Sequence, residues 1–143
     1  MEEFDCLKLE NQLCFPLYAA SKEIVRRYKP FLDKLDLTYT QYIVMLVLWE
    51  IKETNVKSLG EKLYLDSGTL TPLLKKLEDK GYITRGKLSS DERNLIIKIT
   101  KTGENLKSIA KDIPKSMSSC INLSKEETIN LYNILYKILN NKL

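Results

Sequence analysis

The sequence predicts a mainly α-helical protein with one small β-hairpin, built as a single domain of 143 residues. Three observations predict this class. Apolar residues recur at helical spacing in several segments. Two capping boxes, each a serine or threonine three positions before glutamine or glutamate, mark helix starts. Between residues 82 and 100 the pattern changes to β-branched runs separated by a turn-like segment.

The first two predicted helices precede the first capping box. A helix over residues 17–28 places four side chains on one face: Leu17, Ala20, Ile24 and Tyr28. Pro30 suits the first turn of a short second helix, where its missing N–H is not needed. Thr38 and Gln41 form the first capping box, so the apolar run at residues 42–49 is predicted to be a buried helix that extends to about Ile51.

Two more helices are predicted over residues 56–65 and 67–81. The second carries an apolar stripe at helical spacing, made of Leu70, Leu73, Leu74 and Leu77. Gly81 lies where this helix is expected to stop. Its start is open, because Pro72 favours a cap at Thr71 whereas the stripe favours a start near Ser67.

A two-stranded hairpin is predicted from residues 82–86 and 94–100, with KLSSDER as its turn. An isolated hairpin is marginally stable, so it must pack on the helices.

Two final helices are predicted over residues 102–119 and 125–140. Thr102 is the expected cap of the first, and Pro114 should bend or interrupt it. Ser124 and Glu127 form the second capping box.

The order helix, turn, helix, hairpin is that of a winged helix-turn-helix, whose second helix lies in the DNA major groove. Residues 75–101 carry eight basic and four acidic groups, the local excess expected of a phosphate-binding surface. Hydroxyl and basic side chains suited to phosphates and base edges lie on the helix and the hairpin, with Asp91 supporting the hairpin tip. The predicted DNA-contacting residues are Ser67, Thr69, Thr71, Lys75, Lys76, Arg85, Lys87 and Arg93.

Several site classes are disfavoured by composition. The absence of histidine removes Cys-His and Ser-His catalysis and histidine-liganded metals. The three cysteines include no CxxC pair, so no metal or cofactor is expected. The longest uncharged apolar run is too short to span a bilayer, and the first residues lack a signal pattern. We therefore expect a cytoplasmic protein that is not an enzyme.

The segment LYLDSGTLTPLLKKLEDKGYITR, followed by DERNLIIKIT, resembles the recognition helix and wing of MarR-type repressors. The segments ENQLCFPLYAASKEI and YKPFLDKLDLTYTQYIVMLVLWE resemble the organic hydroperoxide resistance regulators of that family. The similarity covers nearly the whole chain. The residues around Cys14 are the part that is specific to the organic hydroperoxide subgroup.

The resemblance implies a homodimeric repressor that binds operator DNA when reduced and releases it when organic hydroperoxide oxidises Cys14. It implies a dimerisation region at 1–37 and 102–143, and a winged helix-turn-helix at 38–101. It further implies that Tyr28 and Tyr39 hold the reactive thiol. A second cysteine, for which Cys120 is the candidate, would resolve the oxidised thiol from the other subunit.

The chemistry expected of Cys14 agrees with its position near a predicted helix start, ahead of Pro16, because helix N-termini stabilise anions such as a thiolate. Tyr28 lies fourteen residues further along, about 21 Å in a helix, so it cannot touch its own Cys14. If the two meet, Tyr28 comes from the partner chain.

Three alternatives stay open from the residues. Cys14 can be an inert core thiol in a repressor that responds to a small ligand. It can serve a thiol peroxidase, although no catalytic partners are evident. The protein can also be an architectural DNA binder with little base preference.

Overall fold

The computed structural model describes residues 2–87 and 95–141. The chain divides into two compact units, Met1–Asp112 and Ile113–Leu143. Within the described ranges, no helix is both long enough and apolar enough to cross a bilayer.

The first long helix, α1, spans Cys14–Leu32 and follows two short 3₁₀ helices, Asp5–Leu7 and Leu9–Asn11. It begins earlier than predicted, so Cys14 is its first residue and Pro16 its third, where the backbone N–H has no helical partner anyway.

The separate second helix predicted from Pro30 is wrong. Pro30 lies inside the last turn of α1, which passes into a 3₁₀ helix at Asp33–Leu35. Proline removes one hydrogen bond there. Burial of Leu32 and Leu35, which are 2% and 1% exposed, holds the chain in a helical path across it.

Helix α2, Tyr39–Ile51, is the centre of the first unit. Its predicted capping box is confirmed: the Gln41 N–H donates to Thr38 Oγ1 at 3.3 Å, and the Thr38 N–H donates to Gln41 Oε1 at 3.0 Å. Most of α2 is buried, with Val44, Met45 and Leu48 fully enclosed. The apolar run is therefore a buried helix, as predicted.

The helix-turn-helix consists of α3, Val56–Leu63, and α4, Ser67–Asp79. Asp66 caps α4 by accepting the Thr69 N–H at 2.7 Å. The start that the sequence left open is thus at Ser67, and Pro72 lies in the second turn.

The predicted two-stranded hairpin is part of a three-stranded antiparallel sheet. The strands are β1, Glu53–Asn55; β2, Ile83–Lys87; and β3, Leu95–Ile99. The order is β1-β3-β2, with Ile97 of the central strand opposite both Thr54 and Arg85. Sequence reasoning missed β1 because three residues are too few to show an alternating pattern.

The single helix predicted over residues 102–119 is wrong. It is divided into α5, Lys101–Asn105; α6, Lys107–Ala110; and α7, Ile113–Cys120. Thr100 rather than Thr102 caps α5, accepting the Gly103 N–H at 3.1 Å. Pro114 is the second residue of α7, where a missing N–H costs nothing. The predicted interruption is therefore a helix start.

The second unit consists of α7 and α8, Lys125–Asn140. The predicted capping box of α8 is confirmed, because Ser124 Oγ accepts the Glu127 N–H at 3.1 Å and the Ser124 N–H donates to Glu127 Oε2 at 2.8 Å. Many large apolar side chains of α8 are exposed, among them Ile129, Tyr132, Ile134 and Ile138.

Helix α4 ends in a tight hydrogen-bonded turn at Gly81, as predicted. The Gly81 N–H donates to the Glu78 carbonyl at 2.8 Å, and the Tyr82 N–H donates to the Leu77 carbonyl at 3.1 Å. This is the Schellman arrangement, and it requires the left-handed conformation seen at Gly81, with φ of 77°.

We predict that Gly81→Ala lowers the free energy of unfolding by about 1–2 kcal/mol, measured by urea denaturation. A Cβ at Gly81 would have nothing within 4 Å, so the cost is conformational and not steric. Gly86→Ala is the matched control, because it too has open space but no positive φ. Equal stabilities of the two variants would contradict this account.

Candidate functional site

The outward side of α4 carries the polar side chains predicted to contact DNA. Its leucine stripe is buried, and the opposite face is solvent-exposed. The Thr71 hydroxyl donates within the helix to the Ser67 carbonyl at 2.8 Å, so its oxygen remains available as an acceptor. All five residues of α4 that were predicted to contact DNA are exposed: Ser67, Thr69, Thr71, Lys75 and Lys76.

Arg85 of strand β2 is held on α4 by a two-point contact with Glu78. Its guanidinium donates to Glu78 Oε1 at 3.0 Å, and its backbone N–H donates to Glu78 Oε2 at 3.0 Å. This contact holds the pKa of the Glu78 carboxyl below its usual range. The Arg85 side chain is only 22% exposed. The pair fixes the wing against the recognition helix, a role for Glu78 that sequence reasoning missed.

The remaining wing residues are only partly described. Lys87 is exposed at the end of β2. Asp91 and Arg93 lie outside the described residues, so their predicted roles stay predictions.

Cys14 is exposed at the first turn of α1. The N-terminus of a helix presents unpaired backbone N–H groups and a positive dipole end, both of which stabilise an anion. Cys6 is also exposed, in the segment of 3₁₀ helices. Cys14 is therefore an accessible thiol at the start of a helix.

Tyr28 and Tyr39 come together, with ring centroids 4.9 Å apart. Tyr42 joins them, 5.7 Å from Tyr28. Burial, together with Tyr39 and Tyr42, raises the pKa of Tyr28 to about 12, so its phenol is protonated at neutral pH and can donate a hydrogen bond. Sequence reasoning missed Tyr42, although its spacing of three from Tyr39 puts both on one helix face.

The tyrosine cluster, Tyr28, Tyr39 and Tyr42, is far from the thiol of the same chain. Helix α1 is continuous between Cys14 and Tyr28, which separates them by about 21 Å. The structure thus brings the two predicted thiol-supporting tyrosines together but does not bring them to their own Cys14.

Cys120 is the last residue of α7, in the second unit, and is exposed. No cluster of carboxylate and cysteine side chains in the described part of the chain is arranged to hold a metal ion.

Comparison with known proteins identifies the family of this chain. Residues 26–109 match the family described as transcriptional regulator SarA/Rot. The chain belongs to this family of transcriptional regulators. The match covers α2, the helix-turn-helix and the wing, which are the elements that define the winged helix.

Two curated relatives match almost end to end. The organic hydroperoxide resistance transcriptional regulator of Bacillus subtilis (strain 168) is 50% identical over 137 residues, covering 96% of this chain and 93% of the relative. The regulator SarZ of Staphylococcus haemolyticus is 47% identical over 133 residues, covering 93% and 90%. The predicted relationship to MarR-type organic hydroperoxide regulators is confirmed.

The regulator AbfR of Staphylococcus epidermidis is a close structural relative. Its reduced, DNA-bound form superposes with a TM-score of 0.76 at 37% identity, covering 93% of this chain and 92% of AbfR. An overoxidized form, also bound to DNA, gives a TM-score of 0.75 at 36% identity, covering 96% and 97%. A disulfide form gives 0.64 at 35% identity, covering 94% of each chain. The predicted winged-helix architecture is thereby confirmed.

We predict that Glu78→Gln lowers the free energy of unfolding at pH 7 by about 1 kcal/mol, because a partly exposed ion pair contributes little more. The pKa of Glu78 is depressed in the folded state, so its contribution is present above the ordinary carboxyl pKa of 4.5 and is lost as the pH falls further. Denaturation at a series of pH values measures this.

Asp79→Asn is the matched control, since it removes the same charge from the exposed neighbouring position. A Glu78→Gln deficit that persists unchanged at pH 3 would refute the ionic contribution.

Proposed function

We propose that this protein is a redox-responsive repressor that binds operator DNA as a reduced homodimer and releases it when organic hydroperoxide oxidises Cys14. One observation carries the proposal: the exposed Cys14 at the first turn of α1. The 50% identity to an organic hydroperoxide resistance regulator supports the choice of signal.

DNA binding is assigned to the exposed face of α4 and to the wing. In a dimer, two recognition helices spaced by about 34 Å enter successive major grooves of a pseudo-palindrome. The hydroxyls of Ser67 and Thr69 are suited to base edges and phosphates, and Lys75 and Lys76 to phosphates. The DNA complex of the reduced AbfR relative supports this assignment.

The charge of Arg85 suggested a direct contact with DNA, but its contacts in the structure favour an indirect role. Its guanidinium is engaged by Glu78, so we assign it to setting the angle of the wing on α4. Lys87 and Arg93 remain the proposed direct contacts of the wing.

Dimerisation is assigned to the two end regions, 1–37 and 102–143. The N-terminal half of α1 exposes Phe15, Leu17 and Tyr18, and α8 exposes a row of apolar side chains. Exposed apolar surface of this extent is typical of an interface between subunits. Antiparallel contact of two α1 helices would bring Cys14 of one subunit towards the tyrosine cluster of the other.

The first chemical step is a two-electron oxidation of sulfur. The Cys14 thiolate attacks one peroxide oxygen, an S–O bond forms, and the O–O bond breaks. The departing alkoxide takes up a proton and leaves as an alcohol, while Cys14 becomes a sulfenic acid. The protonated phenols of Tyr28 and Tyr39 would donate hydrogen bonds to the attacking thiolate.

The second step is resolution by Cys120 of the other subunit. Its thiol sulfur attacks the sulfenic sulfur, a disulfide forms, and water leaves. The Cα atoms must then approach to about 6 Å, which moves the first helix relative to the partner's α7. In AbfR the overoxidized protein is also bound to DNA, so we assign DNA release to the disulfide and not to further oxygenation.

We predict that wild type loses operator affinity by roughly 5- to 150-fold after cumene hydroperoxide, whereas Cys14→Ser does not respond. Fluorescence anisotropy with a duplex selected from a random library by the reduced protein measures both. Release of DNA by oxidised Cys14→Ser would refute the sensing role and favour a ligand-responsive repressor.

We predict that Cys120→Ser forms no covalent dimer on a non-reducing gel and keeps its DNA affinity after oxidation. Cys6→Ser is the control, since Cys6 is also exposed and its variant is expected to respond as wild type does. If the Cys120→Ser protein released DNA normally, Cys120 would not be the resolving group, and an external thiol would have that role.

We predict that Lys76→Ala weakens binding to all sequences alike and reduces the slope of log affinity against log salt by roughly 2, one phosphate contact per subunit. Lys62→Ala, at an exposed position of α3 outside the DNA-binding face and the dimerisation regions, should leave the slope unchanged. Equal slopes for the two variants would remove Lys76 from the interface.

A further inference from the structure

The end of α1 and the end of α4 are joined by hydrogen bonds that the proposed function does not use. We call this set, formed by Leu35, Asp36, Lys80 and Tyr82, the carbonyl junction. It lies within the first unit. It joins the helix that begins at the sensing thiol to the helix that reads DNA.

The α1 side of the junction supplies acceptors. The 3₁₀ helix at Asp33–Leu35 ends with carbonyls that lack helical donors. The Tyr82 hydroxyl donates to the Leu35 carbonyl at 3.1 Å. Lys80 Nζ donates to the Asp36 carbonyl and lies 3.5 Å from the Asp36 carboxylate. A cation at this position also favours the negative end of the helix dipole.

Lys80 has a further partner in the start of α2. Its ammonium donates to Gln41 Oε1 at 3.2 Å, and the same oxygen accepts the Thr38 N–H of the capping box. Gln41 is 3% exposed and is the buried polar residue of the described core. Lys80 therefore contacts both Asp36, after the end of α1, and Gln41, in the first turn of α2.

The α4 side of the junction is rigid. The Schellman turn at Gly81 fixes Lys80 and Tyr82 relative to the last turn of α4. The Tyr82 carbonyl also accepts the Thr100 N–H at 3.0 Å, and a Cβ at Gly103 would lie 2.3 Å from that carbonyl oxygen. Tyr82 thus has little freedom to move independently of α4.

The α1 side is rigid along the helix. Nineteen residues run without interruption from Cys14 to Leu32, about 27 Å at the rise of an α-helix. The Leu37 N–H donates to the Leu32 carbonyl at 3.1 Å, which binds the connecting turn to the helix. A tilt imposed on the first turn of α1 is therefore carried to Leu35 and Asp36.

We propose that Lys80 and Tyr82 are positioning residues that transmit the tilt of α1 to α4, so that oxidation of Cys14 alters the angle of the recognition helix. This rests on the proposed function. The two residues touch neither the thiol nor the DNA-facing side of α4. Their loss weakens the coupling between the two sites, while the buried Leu32 and Leu35 maintain the fold.

The test uses the full-length homodimer with Tyr82→Phe, which removes only the hydroxyl, with Lys80→Met, and with both. Dissociation constants for the selected operator duplex are measured before and after cumene hydroperoxide. The ratio of oxidised to reduced constants should fall roughly 3- to 10-fold below that of wild type, with the reduced constant within about twofold. Lys62→Met, at an exposed position outside the DNA-binding face and the dimerisation regions, is the control for loss of a lysine charge.

Hydrogen exchange gives a readout that does not depend on oxidation. Coupling is reciprocal, so DNA bound at α4 should slow exchange of the amides at residues 36 and 37 in reduced wild type, by about fivefold or more. The slowing should be lost in the double variant. If hydroperoxide did not change the DNA affinity of wild type, the proposed function would be overturned. The hydrogen-exchange measurement would still show whether the carbonyl junction couples α1 to α4.

Two results would overturn the proposal. One is a double variant with the wild-type oxidation ratio and wild-type protection of residues 36 and 37. The other is a variant whose thermal stability and whose DNA affinity in the reduced state both fall, while the ratio of oxidised to reduced dissociation constants is unchanged. That result would indicate a purely structural role.

Discussion

Burial of helix α2 is the constraint on which the first unit depends. Its apolar run at residues 42–49 contains no charged residue, and its inner side chains are almost inaccessible to water. Helices α1, α3 and α4 and strands β1 and β3 all pack against it. Gln41 is buried with them, and its side-chain oxygen accepts hydrogen bonds from both Thr38 and Lys80. The packing around α2 therefore sets the positions of both α1 and α4.

The proposed sensor is divided along α1. One end of the helix exposes Cys14, whereas the opposite end contributes Tyr28 to a packed tyrosine cluster. The length of a straight helix keeps these two ends apart in one chain. The proposed site would be complete only with a second subunit, for which α1 and α8 expose apolar side chains. Sensing and dimerisation would then use the same helix, so oxidation of Cys14 would act directly on the arrangement of the two subunits.

Charge alone is a poor guide to role in the DNA-binding half. Lys75, Lys76 and Lys87 are exposed cations available to phosphates. Arg85, of the same charge, is engaged by Glu78. Lys80 is bound to backbone and side-chain oxygens at the end of α1. The difference lies in which face each residue occupies, and the turn at Gly81 sets that face for Lys80 and Tyr82.

The sequence by itself determined the features that depend on neighbours in the chain. The capping boxes at Thr38 and Ser124, the leucine stripe of α4 and the stop at Gly81 are local signals, and all are observed. Resemblance also pointed to the family, because the wing and the surroundings of the cysteine are contiguous motifs. None of these features requires knowledge of the packed structure.

Only the tertiary structure decided the rest. Burial of Leu32 and Leu35 carries α1 through Pro30, and pairing with β3 makes a strand of three residues that show no pattern alone. The bond from Trp49 Nε1 to the Gly103 carbonyl, 2.9 Å long, ties α5 to α2 across 54 positions. The pairing of Glu78 with Arg85 and the meeting of Tyr82 with Leu35 likewise join separate elements. Such contacts arise when the core closes, and local propensity contains no information about them.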